Sequence, residues 1–341
     1  MRFVAAGALL AAGLFCAQAP AYAEPAAPLV VGSENFFSPS VGDLDKAVFF
    51  YRGLGFDVPG QPADATTNAR LRDMFGLPDA RMRWLVGVAP GVSGGGVEIL
   101  EIRGARTRTL KRMPQDPGAF TLVLTVRDLD AAALRLHESG ARVLTPGKGP
   151  VLVTTDGEQA RMLTAQTPDG HFVELVQVAE AASTAVPSNA NILEVRARLA
   201  VRDLDRAVQL YHDALGLPLL TRAGFSDDRM LAAALGAPGT RFRTATVQVP
   251  QSGLVLELIE FAGRHQALRA NIQDPGSTRL QLRVRNVDEA IAALEKFGGQ
   301  VISTGAKGVE LPAATGGISA AMVRDPDNLF LVLLGASAPS G

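Results

Sequence analysis

Apolar positions recur along this chain with two periods. In Arg279-Leu-Gln-Leu-Arg-Val284 they alternate, which predicts a strand with Leu280, Leu282 and Val284 packed inward and Arg279, Gln281 and Arg283 on the opposite, polar face. A strand of this kind is followed in four places by an Asp or Asn and then a helical pattern. The four helix starts, Asp43, Asp128, Asp203 and Asn286, are good N-caps because their side-chain oxygen accepts an otherwise unpaired backbone N–H. Elsewhere Val, Leu and Ile occur in short runs broken by Gly (35) and Pro (21), as in many short strands joined by tight turns.

The chain repeats itself. Ser40-Val-Gly-Asp-Leu-Asp-Lys-Ala-Val-Phe-Phe-Tyr51 returns as Ala200-Val-Arg-Asp-Leu-Asp-Arg-Ala-Val-Gln-Leu-Tyr211, and Val97-Glu-Ile-Leu-Glu-Ile102 as Leu256-Glu-Leu-Ile-Glu-Phe261. Gln115-Asp-Pro-Gly118 recurs unchanged as Gln273-Asp-Pro-Gly276, and Asp169-Gly170 is answered by Asp327-Asn328. The spacing drifts only from 160 residues (Asp43 to Asp203) to 158 (Gln115 to Gln273), which is a duplication. Each half holds a shorter repeat of strand, helix and further strands, so four modules are expected. Ala181 to Asn191 reads as a linker between the halves and Ala336 to Gly341 as a frayed tail.

Residues 1–23 carry the pattern of a secretory signal: basic Met1-Arg2, an apolar stretch from Val4 to Phe15, and a small-x-small cleavage site at Ala21-Tyr22-Ala23. The apolar stretch is about half the ~20 residues that span a bilayer. An extracytoplasmic (periplasmic or secreted) mature chain beginning near Glu24 is expected, with no membrane association after signal removal. Cys16 is then discarded, leaving neither thiolate nucleophile nor disulfide. Lys plus Arg (33) and Asp plus Glu (34) nearly cancel, so no overall field draws nucleic acid or anionic membrane. A small molecule is the expected partner; oligomeric state is not readable.

From Ser33 to Gly335 the order of these motifs resembles the vicinal oxygen chelate superfamily, which includes glyoxalases, bleomycin-resistance proteins and extradiol dioxygenases. The signals are the V-x-D-L-D helix starts, helices ending in Tyr51 or Tyr211, the V-E-L-type strands, and the closing Pro-Asp-Gly or Asp-Pro-Asp-Asn turns. The resemblance implies an α+β fold of four βαβββ modules forming two curved sheets. Glyoxalase-like domains are expected over 33–180 and 191–335, two modules each. It also implies a divalent metal held by a first-strand His and a last-strand Glu or Gln from each module. At the His-equivalent positions stand Phe36, Thr121, Arg196 and Arg279; at the Glu-equivalent positions stand Glu98, Glu174, Glu257 and Val332. No imidazole survives, so no cofactor is expected beyond a weak divalent cation at Glu98 and Glu174.

If modules pair within each half, the C-terminal cup gathers Arg196, Arg198, Arg279 and Arg283 around Glu257, an anion site. The N-terminal cup is then apolar, with Phe36 and Thr121 beside Glu98 and Glu174. If modules pair across the halves, one with four and two with three, Glu98 meets Arg279 or Arg283 and Glu174 meets Arg196 or Arg198, and the charges compensate structurally. The sequence leaves both open. Arg81 with Arg83, and Arg241 with Arg243, read as a solvated sheet edge. His137, His212 and His265 read as surface residues, and parity sets His171 opposite Glu174. Ser38 and Thr125 lack a nucleophile's partners, and Gly94-Gly-Gly96 is a turn rather than a phosphate loop.

Two functions follow. One is a binding protein with a degenerate metal site that holds a small amphiphilic or anionic molecule. The other is a lyase, isomerase or dioxygenase using Glu98, Glu174 or Glu257 as a base or weak metal ligand. A purely structural module would instead fill its cups with side chains.

Overall fold

The computed structural model describes residues 27–61, 65–155, 157–178, 186–264, 266–312 and 317–336. The signal-like segment 1–23, His265, and most of the residues given above as linker and tail fall outside them.

All four capped helices form: α1 (Leu44–Leu54), α3 (Leu129–Glu138), α4 (Leu204–Val208) and α6 (Val287–Lys296), with two short helices, α2 (Ala69–Phe75) and α5 (Arg229–Ala234), inserted in modules one and three. Asp43, Asp128, Asp203 and Asn286 each accept backbone N–H groups of the first turn. Helix α4 continues as a π-helical turn, Gln209–Ala214. In each module the first strand lies parallel to the last: Ser38–Val41 beside Gly96–Arg103, Phe120–Val126 beside Phe172–Val178, Ile192–Val201 beside Val255–Phe261, and Thr278–Val284 beside Phe330–Ala336.

Among the described residues two nine-stranded sheets result, and their seams decide the pairing. Ile192–Val201 runs antiparallel to Phe120–Val126 with Arg198 opposite Thr121 and Arg196 opposite Val123. Thr278–Val284 meets Ser38–Val41 with Arg279 opposite Ser38. Modules two and three therefore share one sheet, and modules one and four the other. The four-arginine cup is not assembled, because Arg196 and Arg198 lie on one sheet and Arg279 and Arg283 on the other.

One core fills the helix side of both sheets, with Leu44, Leu129, Leu204 and Leu294 from the helices against Leu122, Leu124, Leu256, Leu258, Leu280 and Leu282 from the strands. Full burial of each such side chain stabilises by about 1.5–3 kcal/mol. The repeated Gln-Asp-Pro-Gly turns lock the sheets together. Gly118 (φ +83°) and Gly276 (φ +93°) adopt left-handed backbone, and a Cβ there would come 2.1 Å from the Asp327 carbonyl and 2.9 Å from the Asp169 carbonyl, respectively. Each turn packs against the closing turn of a module in the other sheet, which only glycine permits.

Arg83 and Arg243 differ from the solvated-edge expectation. Both are largely covered and pair with Glu101 and Asp45, and with Glu260 and Asp205. Glu260 also accepts the N–H of Leu204 at 2.7 Å. These arginines tie each last strand to its helix start.

Candidate functional site

In the cup of modules one and four, the alternation that sends Leu280 and Leu282 into the core turns Arg279 and Gln281 the other way. Arg279 Nη2 donates to Glu98 Oε2 at 3.1 Å and Nη1 to Ser40 Oγ at 3.1 Å. Gln281 Nε2 donates to Glu98 and, at 3.2 Å, to Ser38 Oγ. The fully buried guanidinium lies over the Phe75 ring, 5.6 Å from its centroid, and its Nε–H has no partner. Burial lowers the Arg279 pKa, an effect partly offset by the adjacent Glu98 charge.

Beside this polar cluster is a cavity of about 160 Å3, walled by Leu71, Met74 and Phe75 of α2 and by Met82, Trp84 and Leu100 of the sheet. Helix α2 was missed in the sequence reading, although Asn68 as cap, Met74-Phe75 and a following Gly76 announce it. Larger grooves lie outside, along the helices, whereas this cavity opens onto Glu98, Arg279 and Gln281 of the cup.

The cup of modules two and three is filled. Val123, Phe172, Ala200 and Ile259 close it with α5, whose Ala234 carbonyl accepts from Thr164 Oγ1 at 2.7 Å. At its centre Arg198 donates from Nε to Glu257 Oε2 at 2.9 Å and from Nη1 to Glu174. Burial opposes the Arg198 charge, but Glu174 and Glu257 override it and raise the pKa above that of an ordinary guanidinium. Thr121 is buried directly opposite Arg198.

The remaining expected site residues stand apart. Phe36 is buried in the main core rather than lining the cavity. The Arg196 side chain, 34% exposed, lies 3.6 Å from Glu194, and that of Arg283, 47% exposed, lies 3.5 Å from Glu34. His171 is buried on the helix side, as parity requires, with Nε2 3.0 Å from the Ser40 carbonyl.

The donor sets do not fit a divalent metal. Positions 36, 98, 279 and 332 offer one carboxylate already bonded to a guanidinium, beside Phe36 and Val332. Positions 121, 174, 196 and 257 offer two carboxylates, with the cation's place between them taken by Arg198. Among the described residues no group of three or more His, Cys, Asp and Glu is arranged to hold a metal ion. A permanent positive charge already compensates each acid, so a second cation would be repelled.

Paired βαβββ modules curve around inward-facing last-strand glutamates, each of which is held in an ion pair with an arginine. Residues 37–175 and 197–316 match profiles of the Glyoxalase/Bleomycin resistance protein/Dioxygenase superfamily. The chain belongs to that superfamily. Among solved structures it is similar to glyoxalase I from Zea mays, at 19% identity and TM-score 0.55, over 88% of this chain and 91% of that one. A mutant of the same maize enzyme aligns at 18% identity and TM-score 0.54, over 88% and 92%. A putative dioxygenase from Bacillus subtilis aligns at 16% identity and TM-score 0.48, over 92% and 87%. At these identities the likeness shows the fold alone. No curated protein sequence matches the chain.

Proposed function

We propose that this protein is an exported, metal-independent member of the superfamily that binds a small amphiphilic molecule in the cup of modules one and four. The carrying observation is the cavity beside Arg279. Its walls are apolar, its polar end holds a buried N–H without an acceptor, and an unpaired buried donor is costly until a ligand oxygen meets it. The Glu98 and Arg279 charges cancel, so the pocket takes an oxygen-bearing head without demanding a full anion. At about 160 Å3 it has room for roughly five waters' share of liquid volume, at ~30 Å3 each, well below a drug-sized site.

The only tryptophan, Trp84, lines this cavity and reports on it directly. Titration with butanoate and with 1-butanol should give a saturable change in Trp84 fluorescence for at least one of them. Val332→Phe, which fills the cavity, should abolish it. Absence of any saturable change, or an unchanged response in Val332→Phe, refutes the reading. The second reading, chemistry with Glu98 as proton acceptor, rests on Glu98 being the one carboxylate in the cavity wall, oriented by hydrogen bonds from Arg279 and Gln281. Glu98→Gln would then retain ligand binding and lose turnover. Export rests on the Met1 to Ala23 pattern, and intact mass of the product should place its start near Glu24.

A further inference from the structure

The duplication builds one groove twice, between the start of the first helix in each half and the closing turn of the module behind it. The copies have volumes of about 680 and 730 Å3. In the second, among the described residues, no lining side chain keeps a buried polar atom without a partner. Tyr211 donates its hydroxyl to Asp325 Oδ2 at 2.8 Å, and Asp327 Oδ1 accepts both the backbone N–H of Arg202 at 3.1 Å and its Nε at 2.9 Å.

Two replacements undo this in the first copy. Thr167 stands where Asp325 stands, and its single side-chain oxygen accepts from His171 N at 3.1 Å, as Asp325 Oδ1 accepts from Leu329 N at 2.8 Å. No second oxygen is left for the tyrosine. The Tyr51 hydroxyl, in the lining of this groove, is buried without a partner. Gly42 stands where Arg202 stands. Asp169 Oδ1 still accepts the backbone N–H of residue 42, at 2.9 Å, but no guanidinium follows.

The other charges around the groove are engaged: Asp43 with Lys46 at 3.2 Å, Asp45 with Arg83 at 2.9 Å, and Glu138 with Arg135 at 2.7 Å. Among the described residues Asp169 has no cationic partner. The groove's wall has also changed: Phe50 stands where Leu210 lines the second copy, and Phe49, 77% exposed, joins the wall.

We propose that the first groove binds a small organic cation, an ammonium or guanidinium group on an apolar or aromatic body. The cation takes the place at Asp169 that Arg202 takes at Asp327, the Tyr51 hydroxyl oxygen accepts a second N–H, and the body packs on Phe49 and Phe50. Charge-assisted bonds to a carboxylate and aromatic walls are the usual recognition of such cations. The site is separate from the cup, and neither proposal depends on the other.

Phenethylamine titrated calorimetrically into the full-length protein is the test, with phenylacetate as the anionic counterpart and sodium chloride as the ionic control. Saturable binding of phenethylamine and none of phenylacetate is expected. Asp169→Asn should weaken it by ~10–100-fold, the worth of a charged hydrogen bond. Gly42→Arg supplies the cation from the chain itself and should abolish binding while raising the unfolding temperature. A Cβ at this position meets Asp169 Oδ1 at 3.4 Å and Pro275 Cγ at 3.6 Å, ordinary contacts. Tyr51→Phe should weaken binding without loss of stability, since it removes a buried hydroxyl that has no partner, and it carries the test with Asp169→Asn if Gly42→Arg does not fold. Equal binding of phenylacetate, no binding of phenethylamine, or undiminished binding in Gly42→Arg or Asp169→Asn overturns the proposal.

Discussion

Replacing Arg198 with Met keeps most of the side chain's volume while removing the cation that joins Glu174 to Glu257. The two carboxylates differ in what they lose. Glu174 is 1% exposed and one of its oxygens already lacks a partner, whereas Glu257, at 23%, can recruit water. Removing one member of a buried ion pair costs about 3–5 kcal/mol, because the other charge stays buried and uncompensated. Most of that loss should come from Glu174. Against a typical domain stability of ~5–15 kcal/mol, it should move the urea midpoint, read by circular dichroism, far outside error. A further outcome follows from the same cause: the double variant Arg198→Met, Glu174→Gln should recover most of the loss. A deficit below ~1 kcal/mol, the behaviour of a solvated surface pair, or no recovery in the double variant would refute the idea that Arg198 compensates the buried Glu174.

Two other predictions rest on the same logic of buried charge. Burial and the neighbouring Asp327 charge push the Asp325 pKa up to about 7, so the folded state holds a proton there that the unfolded state releases near ~4. Stability from this group is present below about pH 4 and declines as pH rises towards 7; Asp325→Asn should flatten that slope, measured by urea unfolding between pH 5 and 7.5. At the other cup, Arg279→Ala should strand a less costly charge than Arg198→Met does, because Glu98 is 20% exposed and, like Glu257, can recruit water; Glu98→Gln in the same chain should rescue part of the loss, as expected for a structural pair across the module seam. Equal losses in the single and double variants would show that Arg279 acts through packing on Phe75 alone.

The duplication, the four module starts and the fold class were legible in the chain because they rest on local chemistry: Asp and Asn as caps, strict alternation in strands, and glycine where a left-handed turn meets another backbone. Alternation also placed Glu98, Glu174, Glu257, Arg198, Arg279 and Gln281 on inner faces. Which acid met which base was not legible. That depended on whether Ile192–Val201 hydrogen-bonds Phe120–Val126 or Thr278–Val284, and strands so alike in pattern accept either neighbour. The across-halves pairing dissolved the expected arginine cluster and set one guanidinium against the acids of each cup. Phe36 was misplaced because parity counted through an irregular segment ahead of Ser38 does not hold. The first groove was invisible for a different reason. Gly42 and Thr167 are unremarkable residues, 125 positions apart. Only the packing of α1 on the closing turn shows that together they leave Tyr51 and Asp169 without the partners that Asp325 and Arg202 provide in the other half.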